Sequence, residues 1–330
     1  MAKYRNQLSQ FVDQFFITDA GVETILIFDE GIELPCFAAF ILLKDESKCE
    51  WVRNYLRTYM NLARKYNTGF ILQSVTWRAN PDWMKKLGYS DQDVIDINRQ
   101  AIEMLEDIRN EYTAENFPII ISGCLGPRGD GYNPTSMMSA EEAQLYHAVQ
   151  INIFSQTNTD LITAMTLNYA EEAIGITRAA KAVGMPIVIS FTVETDGCLP
   201  SGQTLKDAIE LVDHASGNTP VYYMINCAHP GHFERLFVSD EPWLLRIRGI
   251  RCNASAKSHT ELDECKELDS GNPVEFGELN RALLEKSKVL SIFGGCCGTD
   301  HRHVEEISKQ CIGTFNRLKQ NVLDEIQQKI

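Results

Sequence analysis

Val289-Leu290-Ser291-Ile292-Phe293-Gly294-Gly295-Cys296-Cys297-Gly298-Thr299 joins an apolar run to a pair of adjacent cysteines enclosed by glycines. The apolar run predicts a buried strand, and the glycines allow the backbone after it to turn sharply. Adjacent cysteines make a poor disulfide, because disulfide geometry needs a longer Cα spacing than one peptide step usually gives. Their thiolates can instead bind one soft, tetrahedral metal ion, for which zinc is the first candidate. The alternative, a pair of buried apolar cysteines beside a glycine turn, is disfavoured by the flanking glycines and by a third cysteine described below.

The predicted strand before the cysteines is the last of eight short apolar runs along the chain. These predicted strands are Phe15–Thr18, Gly69–Val75, Ile119–Gly123, Leu161–Met165, Ile187–Thr192, Val221–Asn226, Leu245–Cys252 and Val289–Phe293. The segments with apolar residues at helical spacing include Trp51–Tyr66, Asp93–Tyr112, Ala140–Asn158, Glu171–Val183, Thr204–Ser216 and Pro273–Lys288. This alternation predicts an α/β fold with a parallel sheet, and eight units predict a single (β/α)8 barrel of TIM type over residues 1–330. An open doubly wound sheet is the alternative, although no Gly-x-Gly-x-x-Gly motif follows the first strand.

Composition and charge limit the classes of partner that the chain can bind. Its formal net charge of −14 argues against nucleic acid and anionic membranes, because both require basic patches. No apolar stretch is long enough to span a membrane, and residues 1–7 show no secretory signal. We therefore interpret the ten cysteines as thiols in a reducing compartment and expect a cytoplasmic protein. The sequence leaves open whether the chain forms a homo-oligomer.

Polar residues follow the predicted strands, at the end of a (β/α)8 barrel where chemistry takes place. The candidate substrate-binding residues at these positions are Asp19, Glu23, Thr76, Trp77, Asn80, Met165, Thr166, Asn226 and Asn253. Cys227 follows the sixth strand, two strands before Cys296 and Cys297, so a closed barrel would bring the three thiols together near its axis. Three thiolates with an open fourth position describe a catalytic zinc site rather than a closed structural one.

The predicted ligand set indicates the kind of chemistry that the site supports. Zinc with three thiolates is a poor activator of water, but it suits a substrate thiol that binds as thiolate in the fourth position. Attack of that sulfur on a methyl group carried by a sulfonium or quaternary ammonium donor follows, with Cys227, Cys296 and Cys297 as the catalytic ligands. Trp77 could stack on such a methylated cation or pack over the barrel mouth. A metal-dependent hydrolase on this fold would need His and Asp ligands, whereas the strand ends carry cysteines.

The motifs around the cysteines resemble those of the homocysteine S-methyltransferase family. Gly-Gly-Cys-Cys-Gly-Thr, Asn226-Cys227 and Gly126-Pro127 carry the resemblance, and Thr76-Trp77-Arg78-Ala79-Asn80 is similar to the motif after the second strand. Asp19 matches the first residue of the family's Asp-Gly-x-x-Gly-Thr motif. Where that motif has its second glycine, this chain has Glu23. The resemblance implies a zinc-dependent enzyme that methylates homocysteine to methionine. The methyl donor stays open among S-methylmethionine, S-adenosylmethionine and betaine.

Met165 is the position at which the chain departs from the family. The resemblance implies a glutamate there, whose carboxylate binds the amino group of homocysteine. Either another carboxylate, with Asp19, Glu23 and Glu194 as candidates, binds the ammonium group, or the acceptor thiol lacks one. A family member that acts on a different thiol, or that binds zinc and a thiol without turnover, therefore remains the alternative.

Overall fold

The chain forms a closed barrel of parallel strands surrounded by helices. The computed structural model describes residues 2–11, 13–287 and 289–327. Within them, eight strands are hydrogen-bonded in sequence order, and β1 pairs with both β2 and β8 to close the barrel. The strands are β1 (Phe16–Ile17), β2 (Gly69–Gln73), β3 (Ile119–Leu125), β4 (Leu161–Leu167), β5 (Ile187–Phe191), β6 (Tyr223–Asn226), β7 (Ile247–Cys252) and β8 (Ile292–Gly295). The predicted (β/α)8 barrel is thus confirmed.

Helices lie between the strands and after the last of them. They are α1 (Val22–Thr24), α2 (Glu46–Tyr66), α3 (Pro81–Lys86), α4 (Asp91–Glu111), α5 (Ala140–Ser155), α6 (Ala170–Ala182), α7 (Leu205–Ser216), α8 (Pro230–Phe233), α9 (His259–Asp263), α10 (Pro273–Lys286) and α11 (His301–Gln327). The long helices surround the barrel, and the short helices α1 and α9 lie at its mouth. Shorter 3-10 segments are Leu8–Phe11, Pro35–Phe37, Ala39–Lys44, Glu234–Val238 and Pro242–Arg246, and Ile25–Asp29 is a π-helical turn. Over the same described ranges, no helix has both the length and the apolar character needed to cross a membrane.

The structure moves several boundaries that the sequence predicted. The seventh strand starts at Ile247 rather than Leu245, because Pro242 begins a 3-10 turn that leads directly into the strand. Helix α2 starts five residues before Trp51, because the side chain of Asp45 accepts a hydrogen bond from Lys48 N and caps the helix there. The predicted last residue of α10, Lys288, lies outside the described residues.

The interior of the barrel changes from apolar to polar toward the carboxyl ends of the strands. One apolar layer contains Phe16, Ile71, Ile120, Leu161, Val188, Met224 and Ile292. Two residues further along the strands, and therefore on the same face, are Thr18, Gln73, Ser122, Thr163, Ser190, Asn226 and Gly294. Two pairs within this layer are hydrogen-bonded to each other, Ser122 with Thr163 at 2.8 Å and Ser190 with Asn226 at 2.6 Å. This polar layer lies next to the mouth of the barrel, where the candidate site begins.

Candidate metal centre

The barrel brings together the three cysteines that the sequence predicted as ligands. Their Sγ atoms all lie within 4.8 Å of one another, and the Sγ atoms of Cys227 and Cys297 are 3.7 Å apart. Zinc binds sulfur at about 2.3 Å in a tetrahedron, which separates two sulfur ligands by about 3.8 Å. Among the described residues, no other group of three His, Cys, Asp or Glu ligand atoms comes this close. The three thiols therefore fit a single zinc ion with one coordination position left for a substrate.

Cys227 has a backbone conformation that points to a constrained site. Its φ is 54°, in the left-handed region that non-glycine residues rarely adopt. Its N–H donates to the carbonyl of Arg251 at 3.1 Å, and its own carbonyl accepts from Nε2 of His259 at 2.6 Å. These two hydrogen bonds hold the strained backbone at the end of β6 and aim its thiol at the other two cysteines.

The turn that carries Cys296 and Cys297 is tied to three other segments of the barrel. Cys296 N–H donates to the carbonyl of Cys252 at 2.8 Å, and the carbonyl of Cys297 accepts from Ala254 N at 3.1 Å. Gly298, with φ of 78°, donates its N–H to Thr24 Oγ1 at 3.1 Å. The glycines that suggested a sharp turn in the sequence thus perform that role in the structure.

The three thiols alter one another's acidity because they lie so close together. Hydrogen bonds from the thiols of Cys296 and Cys297 hold the pKa of Cys227 well below its usual range. The same contact with Cys227 raises the pKa of Cys296 to about 12. Three sulfurs at this spacing cannot all ionise unless a cation lies between them, so the cluster has the electrostatic character of a metal site. Tyr132 adds a further hydrogen bond from its hydroxyl to Cys227 Sγ at 3.2 Å.

Arg251, near the end of β7, places a buried positive charge beside the thiols. Its guanidinium lies 2.9 Å from a carboxylate oxygen of Asp19, and it donates to Gln73 Oε1 at 2.8 Å and to the carbonyl of Gly295 at 3.0 Å. A buried arginine with an ion-pair partner keeps its charge, and that charge offsets part of the negative charge of Cys296. The sequence analysis did not single out this residue, although an arginine inside a predicted buried strand was a signal for it.

A cavity of 470 Å³ opens above the thiols at the carboxyl ends of the strands. Ten of the predicted residues line it, namely Asp19, Glu23, Trp77, Met165, Thr166, Asn226, Cys227, Asn253, Cys296 and Cys297. Thr76 and Asn80 do not line it, and their role as substrate-binding residues stays a prediction. The Thr76 hydroxyl donates to the carbonyl of Cys124 at 2.6 Å, and Asn80 Oδ1 caps α3 by accepting from Trp83 N at 3.3 Å. Both side chains thus make hydrogen bonds outside the cavity lining.

The end of β4 forms one wall of the cavity through an irregular backbone. The pairing of β4 with β5 shifts between Ala164 and Leu167, and Thr166 has φ of 62°. Asn226 stabilises this bulge, since its Oδ1 accepts from Thr166 N at 2.9 Å and its Nδ2 donates to Thr166 Oγ1 at 2.8 Å. Met165 presents an apolar side chain to the cavity from the same bulge. Asn226, predicted as a substrate contact, is thus largely occupied in shaping the wall.

Trp77 lines the cavity, but its ring is already covered by a cation. The guanidinium carbon of Arg78 lies 3.8 Å from the centroid of the Trp77 ring, and Trp77 Nε1 donates to the carbonyl of Met165 at 3.2 Å. A methylated donor therefore has at most the other face of the indole to stack on. Asn253 Oδ1, by contrast, is buried and has no hydrogen-bond partner in the part of the chain that the structure describes. It is a polar atom available to a ligand.

Two residues that the sequence did not reveal complete the surroundings of Cys227. The Tyr132 ring lies against the His259 ring, with centroids 4.2 Å apart. His259 Nδ1 is 3.0 Å from a carboxylate oxygen of Glu194, so this carboxylate is held outside the cavity lining. Tyr132 lies in the loop after β3 and His259 begins α9, and neither belongs to a motif that could have marked it.

Comparison with known proteins agrees with this geometry. The family model described as homocysteine S-methyltransferase matches residues 16–311. The chain belongs to the homocysteine S-methyltransferase family. The resemblance drawn from the cysteine motifs is thereby confirmed, and it extends over nearly the whole barrel.

Individual relatives of this homocysteine S-methyltransferase family member are distant in sequence. Betaine–homocysteine S-methyltransferase 1 of Danio rerio is 22% identical over 263 residues, which cover 73% of this chain and 60% of the relative. Homocysteine S-methyltransferase 3 of Arabidopsis thaliana is 21% identical over 288 residues, covering 80% and 82% of the two chains. The metallated homocysteine methyltransferase MmuM of Escherichia coli superposes with a TM-score of 0.71 at 16% identity, over 93% of this chain and 99% of MmuM. This structural likeness supports the shared barrel fold.

Proposed function

We propose that this chain is a zinc-dependent S-methyltransferase that moves a methyl group from a sulfonium or quaternary ammonium donor to the thiol of homocysteine, giving methionine. The observation that carries the proposal is the convergence of Cys227, Cys296 and Cys297 beside a cavity of 470 Å³. Membership of the homocysteine S-methyltransferase family supports the reaction type. The names of the zebrafish and Arabidopsis relatives refer to homocysteine as well, and this supports the acceptor.

The residues around the thiols have separate roles in this proposal. Cys227, Cys296 and Cys297 would hold zinc, which when bound supplies an acceptor sulfur that is ionised and nucleophilic at neutral pH. Tyr132 orients Cys227 through its hydroxyl, and Arg251 offsets negative charge next to Cys296. In the transfer, a bond forms between the acceptor sulfur and the methyl carbon. The methyl bond to the cationic donor atom breaks, its electron pair stays with the donor, and the thiol proton leaves to solvent.

The charge of the cavity suits a cationic donor. Four carboxylates besides Asp19 and Glu23 line it toward its outer part, namely Asp130, Asp263, Glu267 and Asp269. A negatively charged opening raises the local concentration of a cation and favours its approach. Sulfonium and quaternary ammonium donors share this positive charge, so the cavity supports the class of donor without selecting one compound.

A second candidate is a member of the family that binds a thiol without turnover. Met165 favours it, because an apolar side chain lines the cavity where the family resemblance implies a carboxylate. The two candidates make different predictions for product formation while sharing the metal site.

The test is a panel of donors with homocysteine as acceptor. Zinc-loaded protein is incubated with S-methylmethionine, S-adenosylmethionine or betaine, and the product is identified by mass. We expect methionine from at least one donor, loss of the activity with a chelator, and its return with added zinc. Turnover that resists the chelator would contradict the role of zinc. Thiol binding without product from any donor would favour the second candidate.

A further inference from the structure

Glu23 lies on a segment that is fixed to the cysteine turn. It belongs to α1, the short helix after β1, and it lines the cavity. On one side of it, Gly21 N donates to the carbonyl of Thr299 at 3.3 Å, and on the other, Thr24 Oγ1 accepts from Gly298 N at 3.1 Å. The backbone that carries Glu23 is therefore held at a defined place relative to the cysteine turn.

Among the buried carboxylates of the cavity, Glu23 is the least compensated in the described part of the chain: burial raises its pKa to about 7, and its own backbone N–H is its hydrogen-bond donor. Asp19 is paired with Arg251, and Asp130 Oδ1 accepts from the backbone N–H of Tyr132 at 2.8 Å. Asp269 accepts from the hydroxyl of Ser255, while Asp263 and Glu267 are exposed to solvent. In the described ranges, no hydrogen bond or ion pair joins the Glu23 carboxylate to another residue. A carboxylate in this position is stabilised when a ligand brings a cation to it.

Arg78 offers the opposite charge to the same cavity. Its side chain is 5% exposed, and its guanidinium lies between the rings of Trp77 and Trp83, at 3.8 and 4.1 Å from their centroids. Nη1 donates to the carbonyl of Gly129 at 3.0 Å, whereas Nε has no hydrogen-bond partner among the described residues. Burial lowers the pKa of this guanidinium to about 10, which leaves it charged at neutral pH. The stacking rings hold the charge in place, and one of its donors is left for an anion.

The two charges face one cavity without pairing with each other, since no ion pair between Glu23 and Arg78 occurs in the described part of the chain. A ligand that carries both an ammonium and a carboxylate group would satisfy them together. Met165 presents only an apolar surface, and Glu194 is held by His259 outside the cavity lining. An α-amino acid is the simplest small molecule with this pair of charges.

We propose that Glu23 binds the ammonium group, and Arg78 the carboxylate group, of an α-amino acid whose side-chain thiol reaches the three cysteines. This inference rests on the proposed function, because it takes the acceptor to be a thiol held at the metal centre. It assigns the selection of the acceptor to α1 and to the loop after β2. The end of β4, where the family resemblance places the carboxylate, carries no carboxylate here, and Met165 supplies an apolar contact instead.

The test measures thiol binding without a methyl donor, by calorimetry on the zinc-loaded protein. The three ligands are homocysteine, 4-mercaptobutanoate, which lacks the ammonium group, and 3-mercaptopropylamine, which lacks the carboxylate group. The variants are Glu23→Gln and Arg78→Met, which remove a charge while retaining much of the side-chain volume. The matched control is Glu30→Gln, which removes the same charge from an exposed position of the following turn.

The proposal predicts a crossed pattern of losses. Glu23→Gln weakens the binding of homocysteine and 3-mercaptopropylamine by at least about tenfold. It changes the affinity for 4-mercaptobutanoate by no more than about twofold. Arg78→Met weakens the binding of homocysteine and 4-mercaptobutanoate by a similar factor, and it leaves the affinity for 3-mercaptopropylamine nearly unchanged. Glu30→Gln changes none of the three.

Two results would overturn the proposal. Equal losses for all three thiols would show that the residue acts only on the structure of the site, and unchanged affinities would show that it does not contact the ligand. Because binding is measured without a donor, failure of methyl transfer is recorded separately. A crossed pattern with no product from any donor would support the amino-acid site while contradicting the proposed turnover.

Discussion

The Sγ atoms of Cys227 and Cys297 lie 3.7 Å apart, although the residues are 70 positions apart in the chain. Barrel closure accounts for this proximity, because β6 and β8 both pair with β7 and end at the same mouth. The left-handed backbone of Cys227 then turns its thiol toward the cysteine pair. This relationship converts a local sequence motif into a three-thiol site, and the predictions below depend on it.

The metal content tests the site directly. Protein purified under reducing conditions is expected to hold about one zinc ion per chain, from a single three-thiolate site. Cys296→Ser and Cys297→Ser are each expected to lose most of it, because a neutral hydroxyl is a poor zinc ligand. Mass spectrometry of the metal content provides the measurement, and Cys198→Ser, outside the cluster, is the control. Full retention of zinc in both variants of the cysteine pair would contradict the assignment.

The barrel is expected to stay folded when the metal is removed. A barrel of this size has its own core, so the zinc ion is not needed for folding as it is in a small zinc finger. Circular dichroism of the chelated protein is expected to match that of the zinc-loaded protein. A large loss of helical signal on chelation would instead indicate a structural metal.

Binding of the acceptor is expected to change the surroundings of the zinc ion. X-ray absorption at the zinc edge would show a fourth sulfur on addition of homocysteine, together with release of about one proton per thiol near neutral pH. The proton is released because a thiol binds the metal as thiolate. If the sulfur count stays at three with a thiol that is nonetheless methylated, the metal has only a structural role.

Met165 allows a rescue experiment on ammonium recognition. Met165→Glu places a carboxylate in the cavity lining at the bulge of β4. In the Glu23→Gln background we expect it to restore a preference for homocysteine over 4-mercaptobutanoate in kcat/KM, toward about tenfold. Met165→Gln in the same background is the uncharged control. Equal kcat/KM values for both thiols in the glutamate variant would show that the β4 position does not reach the ammonium group.

The buried ion pair between Asp19 and Arg251 is expected to contribute strongly to stability. Asp19→Asn leaves the buried guanidinium without its counter-charge and is expected to lower the free energy of unfolding by about 3 kcal/mol. Asp82→Asn, in the exposed pair with Arg128, is the control and is expected to cost less than about 1 kcal/mol. Urea denaturation followed by tryptophan fluorescence measures both. If Asp19→Asn lowers the free energy of unfolding as little as Asp82→Asn does, other groups compensate the charge of Arg251.

The start of α11 is expected to make stability depend on pH. Burial alone would raise the pKa of Asp300, but its contacts with the side chains of His303 and Arg302 and the hydrogen bond from Arg302 N hold it below its usual range. The ionised Asp300 carboxylate therefore adds to the free energy of unfolding at pH values above the pKa that Asp300 has in the unfolded chain. This contribution is lost as the pH falls through the lower pKa that Asp300 has in the folded protein. Asp300→Ala is expected to cost about 1 kcal/mol at pH 7, since its side chain caps the helix, and less at acidic pH. A cost that does not change between pH 7 and 3 would refute this assignment.

Much of the fold followed from local patterns in the sequence. The eight strands and their order could be predicted because apolar runs and helical spacing are properties of neighbouring residues. The boundaries that moved, at Leu245 and before Trp51, depended on a 3-10 turn and a helix cap that compete with those patterns. The clustering of the three cysteine thiols was predictable as well, because the cysteines stand at strand ends that a closed barrel brings together.

The sequence by itself thus determined the barrel and the identity of the thiol cluster. Only the tertiary structure decided which charged groups remain available to a substrate. Asp19, a leading candidate in the sequence, is paired with Arg251 from the other side of β8, and Glu194 is held by His259. Among the described residues, Glu23 is left without a cationic partner, and Met165 lines the cavity with an apolar side chain, because the closure of the barrel determines which side chains meet. Such pairings join residues up to 232 positions apart, and no local pattern encodes the distances between them.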